Sequence, residues 1–265
     1  MAPPERVSKV EAIVISHRDF GEADRLVKVF TATQGKLTLL AKGARRIRSR
    51  KAAHLEPLTH AALVLAKGRT FWLVTQADTL DQFQNIRENL AVTAEALYVL
   101  ELVDLFTADG EGERSIYQAA LTALKYLDAG RDPFHAVRYF ELRIMDLAGF
   151  KPQLFTCVVC KNEIQPQDQY IGLREGGVLC PACGHLVQGA IRVSQDALKY
   201  LRHFQRSAFR EIDGIPVPNR VRSEMAAVLQ ALISHHTERK IQSREVIRQI
   251  GFTAVKSGQP ENDIQ

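Results

Sequence analysis

The first 80 residues alternate and cluster their apolar positions in the manner of β-strands. Runs at 10–17 (VEAIVISH), 25–31 (RLVKVFT), 36–40 (KLTLL), 58–66 (LTHAALVLA) and 70–76 (TFWLVTQ) are rich in Val, Ile, Leu and Phe. Turn formers separate them at 19–21, 33–35 and 67–69. Five short strands at this spacing predict a small closed barrel, since closure removes the edges an open sheet would expose. After Asp81 the apolar period lengthens. Leu90, Ala94, Leu97 and Leu100 recur at three- and four-residue steps and predict one amphipathic helix over 86–106. A second helix is predicted over 113–128, stopping at Gly130. The third is punctuated by Asp132 as a cap, Pro133 in the first turn and Gly149 after the last. Cysteines interrupt the pattern over 157–183. Helices resume at 195–204, behind the cap Ser194, and at 219–236, and the final KSGQPENDIQ reads as frayed. The expected architecture is α+β and multidomain: a barrel at 1–80, a helical domain at 81–156 and 184–250, an insertion at 157–183 and a flexible tail at 251–265.

The chain has 265 residues, of which 46% are hydrophobic and 25% charged, enough for a real core. Disorder, collagen and a disulfide-stapled mini-protein are excluded. The longest clean apolar run, 61–66, falls well short of the ~18 residues of a spanning helix. The opening MAPPERVSKVEA lacks the apolar stretch of a signal peptide, so a soluble cytosolic protein is expected.

Charge is unevenly distributed. Between residues 25 and 55 there are nine bases (Arg25, Lys28, Lys36, Lys42, Arg45, Arg46, Arg48, Arg50 and Lys51) and no acid. Between 78 and 113 nine acids meet one base, Arg87. This asymmetry points to a polyanion partner for the first part. Residues 42–51, KGARRIRSRK, carry six positive charges in ten positions and directly follow a strand, so they form a loop displayed on the barrel. Phe20, Phe30, Phe71 and Trp72 are available in the same region for base stacking. A barrel with a cationic groove and stacking rings is the general design of sequence-tolerant single-strand binders. The nine bases are therefore the candidate DNA contacts, against the alternative of a merely solvated loop.

All four cysteines lie within 27 residues, as Cys157-x2-Cys160 and Cys180-x2-Cys183. Two such knuckles supply the tetrahedral thiolate set that Zn2+ prefers, and four soft ligands leave no open position. One structural zinc ion is expected, in a ribbon-like element with a hairpin from 169–173 and 176–179. The alternatives are two structural disulfides, disfavoured in the cytosol, or a redox-active pair, for which the βαβ setting is missing. His185 could replace a thiolate, but four cysteines already fill the shell.

No nucleotide-binding glycine motif, G-x-S-x-G or H-E-x-x-H occurs, so a catalytic residue set is not predicted. His54-x-Glu56 followed by a C-x-x-C is a near miss of the zinc deaminase signature. The prolines of that signature are absent, Thr156 and Leu179 standing in their places.

Several blocks together resemble a known family, the bacterial recombination mediator RecO. They are Val29-Phe30-Thr31 with the GKLTLLAKGAR run at 35–45, Arg138-Tyr139-Phe140-Glu141-Leu142, Gly149-Phe150-x-Pro152-x-Leu154-x-x-Cys157, and SREVIR at 243–248. They occur in family order over residues 10 to 250. The resemblance implies an N-terminal OB-fold, a helical domain and a zinc-binding insertion. It also implies a DNA repair and recombination protein, not an enzyme, that binds single- and double-stranded DNA and anneals complementary strands without ATP. Members work with RecR to load recombinase onto strands coated by single-stranded DNA-binding protein (SSB). A cytoplasmic, nucleoid-associated monomer without membrane contact is the corresponding expectation. The arginine matching Arg138 holds the acidic SSB tail in the family, although an internal Arg138–Glu141 pair is the alternative. A different reading of the whole chain is a zinc-containing interaction adaptor whose basic loop only aids solubility.

Overall fold

The computed structural model describes residues 7–237, and the structural statements below refer to these. The SREVIR block at 243–248, the end of the helical segment to 250 and the tail at 251–265 lie outside them.

Five strands, β1 (Val7–Phe20), β2 (Asp24–Thr31), β3 (Gly35–Ala41), β4 (His60–Lys67) and β5 (Trp72–Asp81), close a barrel in the order β1-β2-β3-β5-β4. All neighbours are antiparallel except β3 and β5, which close it through Leu39↔Trp72 and Leu40↔Leu73. This is the five-stranded OB-fold barrel that the resemblance implies. The 14-residue β1 serves two partners: its first half pairs with β4, its second with β2, and the register shifts between Val14 and Ser16. A bulge at such a place sharpens the bend that closure requires.

The run VEAIVIS is apolar on both faces because both are covered. Val10, Ala12 and Val14 point into the barrel with Val27, Val29, Leu39, Leu63 and Leu65. Ile13 and Ile15, with Phe30 and Leu58, pack instead into the core of the helical domain. Phe30 lies 6.2 Å from the Tyr117 ring, and the His60 Nε2 bonds the Tyr117 hydroxyl at 2.9 Å. Burial pushes the Tyr117 hydroxyl well above its usual range, and lowers the His60 imidazole.

The helix expected over 86–106 is two: α1 (Gln84–Glu88) and α2 (Leu90–Phe106). Asn89 separates them in an extended conformation, and its Oδ1 accepts from the Ala91 and Val92 amides. The apolar period runs on across this residue, but the cap stops it. Helices α3 (Arg114–Asp128) and α4 (Pro133–Leu147) follow. The Asp132 carboxylate accepts from the Phe134 amide, and Gly149 takes a φ of 84° beyond the last turn of α4. The insertion holds β6 (Gln169–Gly172), β7 (Gly177–Leu179) and α5 (Pro181–Gly184). A further strand, β8 (Ile191–Val193), pairs with β6 and makes the sheet three-stranded rather than a hairpin. Then come α6 (Gln195–Arg206), the single turn α7 (Phe209–Ile212) and α8 (Asn219–Thr237). Cys157, Ile171, Val178 and Leu179 share one core with α2, α3, α4, α6 and α8. Among the described residues no helix is long and apolar enough to cross a membrane.

The acidic segment ties the barrel to the helices. Asp104 on α2 receives Lys28 at 2.8 Å and Lys36 at 3.0 Å. Lys36 Nζ also donates to the Asp104 and Thr107 carbonyls at 2.8 and 2.9 Å, where α2 leaves its last acceptors unused. The loop after α2 closes tightly on the β2–β3 turn. A Cβ on Gly35, whose φ is 64°, would stand 2.0 Å from the Glu111 carbonyl oxygen, so only glycine fits. Burial opposes ionisation of Asp104, but hydrogen bonds and charge from Lys28 and Lys36 prevail and hold its carboxyl below the usual range. A depressed folded pKa stabilises the fold above the unfolded value, roughly 3.9, and this contribution is lost as pH falls through the folded value. Asp104→Asn is therefore expected to lower the melting temperature at pH 7, with a cost of about 1–3 kcal/mol for removing the carboxylate that the Lys28 and Lys36 ammonium groups share. As pH falls through the folded value the two proteins should converge. A gap in thermal melts that stays equal over that fall would contradict this.

Candidate nucleic-acid interface and metal centre

The loop from Lys42 to Lys51 is pinned at its ends and free in its middle. Gly43 donates to Asp24 Oδ1 at 2.7 Å with a φ of 66°, and Ala44 is buried in the barrel core. The Arg45 amide donates to the Ala23 carbonyl at 2.9 Å. At the far end Lys51 Nζ donates to the Val74 carbonyl at 2.9 Å, and a 3-10 turn, Ala53–Leu55, buries Leu55 completely. Between these anchors Arg46, Ile47, Arg48 and Arg50 are exposed.

The nine sequence-predicted bases divide into two groups. Arg25 pairs with Glu56 at 2.8 Å and Asp19 at 3.8 Å, while Lys28 and Lys36 are held by Asp104. Arg45 pairs with Asp19 at 3.1 Å and reaches the Gly21 and Glu22 carbonyls, and Lys51 is spent on Val74. Among the described residues Lys42, Arg46, Arg48 and Arg50 make no ion pair and are exposed. The segment is free of acids in sequence, but the fold brings acids to four of its nine bases and a backbone acceptor to a fifth.

Ser16, Arg18 and Phe20 alternate onto one face of β1. Arg18 lies outside the acid-free stretch at 25–55. It is exposed and lines a groove of about 330 Å³ with Ser16, His17, Leu26, Lys28 and Thr38. The rings divide too. Phe30 is fully buried between barrel and helices, and Trp72 packs against the barrel core. Phe20 is 41% exposed and meets Phe71 edge-on at 6.3 Å. Arg45 bonds the turn directly after Phe20, so this ring pair and the loop cations belong to one end of the barrel.

The Sγ atoms of Cys157, Cys160, Cys180 and Cys183 all lie within 4.8 Å of one another, with Cys160 and Cys180 at 3.8 Å. Tetrahedral zinc with ~2.3 Å bonds places its sulfurs about 3.8 Å apart, so the cradle fits that ion. Burial raises the Cys157 thiol, but the Cys180, Cys160 and Val159 amides aim at its sulfur and, with the Cys160 side chain, bring it down to about 6. Cys183 is pushed up to about 12, chiefly by hydrogen bonding to Cys180, then by burial and its other cysteine neighbours. A bound dication would favour the thiolate form of all four sulfurs. The deaminase arrangement does not form: Glu56 is engaged by His17 and Arg25, and His54 by Thr79. Among the described residues no other side chain joins the sulfur cluster.

Arg138 on α4 is 3% exposed, and its Nη2 pairs with Glu141 at 3.1 Å. Glu141 also accepts from the Tyr98 hydroxyl at 2.6 Å. Nε and Nη1 of Arg138 are buried with no acceptor among the described residues. The guanidinium stands 6.0 Å from the Phe134 ring, over which Arg222 also lies at 4.8 Å.

Comparison with known proteins finds two family models in succession. Residues 6–83 match "Recombination protein O N terminal" and residues 87–245 match "Recombination protein O C terminal". The chain is 34% identical over 235 residues to the DNA repair protein RecO of Roseiflexus sp. (strain RS-1), covering 89% of this chain and 83% of that one. It is 33% identical over 241 residues to the protein of the same name from Symbiobacterium thermophilum, covering 90% and 95%. The Dehalococcoides mccartyi (strain CBDB1) protein is 31% identical over 232 residues, covering 88% and 91%.

Proposed function

The chain belongs to the RecO family of DNA repair and recombination proteins, and on that footing we propose that it anneals complementary DNA single strands without nucleotide hydrolysis. The observation that carries this reading is the set of exposed cations Lys42, Arg46, Arg48 and Arg50, without an ion pair among the described residues, on a loop anchored at both ends. Two strands repel through their phosphates. A cationic surface lowers that barrier, and released counterions supply the binding free energy. Duplex formation is itself downhill, so no cofactor chemistry is required. Arg18 and the Phe20–Phe71 rings extend the surface, each stacked base being worth ~1–3 kcal/mol. Arg25, Lys28, Lys36, Arg45 and Lys51 serve this interface indirectly, by fixing the loop and the barrel in place. The test is the rate at which fluorescently paired complementary oligonucleotides anneal in the absence of nucleotide. The wild-type protein should raise it well above the spontaneous rate, and a rate equal to the protein-free control would contradict the reading.

The same proposal gives Arg138 the acidic C-terminal tail of SSB, and it gives the protein RecR as its partner in loading recombinase. Support for the first lies in two buried guanidinium nitrogens, Nε and Nη1, that lack acceptors among the described residues, beside the Phe134 ring. A carboxylate is the acceptor such a group binds most strongly. Arg138→Ala is expected to weaken binding of an SSB-tail peptide about tenfold or more in anisotropy titrations, with Arg138→Lys intermediate. Unchanged affinity in Arg138→Ala would sink the assignment. The four cysteines hold one structural Zn2+, with all four positions filled by sulfur.

A further inference from the structure

Helix α6 carries a second cationic surface that the annealing reading does not use. Lys199, Arg202, His203 and Arg206 follow one another at steps of three, one and three residues, which puts them within about 100° of arc on one face. Lys199 and Arg206 are exposed, as is Arg210 on α7 just beyond. Among the described residues none of Lys199, Arg202, Arg206 and Arg210 forms an ion pair, whereas Asp196 on the same helix is taken by Arg220. Arg202 and Gln205 bond the Leu154 and Pro152 carbonyls at 2.7 and 2.8 Å, so the helix lies against the segment that leads into Cys157. That contact sets the Arg202 guanidinium 5.3 Å from the Phe155 ring, which is 39% exposed, and leaves Arg202 Nη2 with no acceptor among the described residues. Burial and the neighbouring Arg206 charge both lower the Arg202 pKa, and Glu163 is the one carboxylate that offsets them.

We infer that this stripe is a second phosphodiester-binding surface, on the helical domain, which holds the other strand while the barrel loop holds the first. The inference rests on the annealing reading in one respect only, the need for two strands. The recognition chemistry is its own. These cations, which have no ion pair among the described residues, span roughly 10 Å along the helix, enough to meet more than one phosphate of a strand. An exposed ring stands beside them for a base to cover, the same combination found at the loop. An acidic peptide would satisfy the cations, whereas a nucleic-acid strand also brings a planar base to the exposed part of the Phe155 ring.

The experiment uses the full-length protein and two non-complementary oligo-dT strands, one carrying a donor and one an acceptor dye. Wild type at saturation should bring the dyes together and give energy transfer. The variant Lys199→Ala/Arg206→Ala/Arg210→Ala should keep its melting temperature, bind the first strand within about twofold of wild type by anisotropy, and lose most of the transfer. Phe155→Ala should reduce transfer in the same direction with every cation kept. Transfer undiminished in the triple variant would overturn the second surface. A barrel-loop variant that still binds one strand at full affinity would count against the loop reading, while leaving the stripe supported.

Discussion

A protein with Arg46, Arg48 and Arg50 all changed to alanine should bind single-stranded DNA about 10- to 100-fold more weakly at physiological salt. Each exposed charge pairing is worth roughly 0.5–1 kcal/mol, and three of them sum to that range. Salt dependence gives the sharper test. Each single-strand phosphate that the protein ceases to neutralise takes ~0.7 off the slope of log K against log salt, so the slope should flatten by about 2. Arg45 is deliberately kept. Its guanidinium is bound to Asp19 and to the Gly21 and Glu22 carbonyls, so removing it would loosen the loop as well as its charge. The three chosen residues have no ion-pair partner among the described residues, so the melting temperature should scarcely move. A fluorescence titration with an unchanged slope would remove the loop from the interface.

The second large effect concerns the sulfur cradle. Freshly purified wild type should contain one zinc per chain by elemental analysis, and Cys180→Ser should contain much less. Structural zinc in small domains contributes about 10–16 kcal/mol of binding free energy that doubles as folding free energy. The damage should not stay local. Cys157, Ile171, Val178 and Leu179 pack into the same core as Leu198, Leu201 and Val221 of α6 and α8. Chelation or Cys180→Ser should therefore lower the melting transition of the whole helical domain and unfold the β6–β7–β8 sheet. Zinc-free protein melting at the wild-type temperature would show that the sulfur cluster carries none of the stability.

Much of this was legible in the chain because local rules and burial agree. The barrel strands, the cap at Asp132, the stop at Gly149 and the C-x-x-C pairs each state their own conformation. Asn89 has the chemistry of a cap, but the apolar steps from Ile86 to Leu100 continue through it and conceal the break. The strand β8 has three residues and only its pairing with β6 gives it meaning. The charge map was the least legible part. Lys28 and Asp104 are 76 residues apart in sequence, and only the packing of α2 on the barrel brings them within 2.8 Å. Arg45 and Arg46 are equivalent as letters, yet one is bound to the turn at 19–22 and the other has no ion-pair partner among the described residues. The rings followed the same logic: alternation separates Phe71 from Trp72, but which face meets solvent depends on the core behind it.

Contact between the loop tip and DNA is the central claim, and Ile47 offers the most direct view of it. This side chain is 104% exposed, as open as an isolated residue, between Arg46 and Arg48. A photoreactive amino acid at that position has no packing to disturb and sits wherever the arginines sit. Irradiated with labelled single-stranded DNA, it should give a strong protein–DNA crosslink that rising salt abolishes. A protein that binds the same DNA fully but yields no crosslink from position 47 would contradict the account.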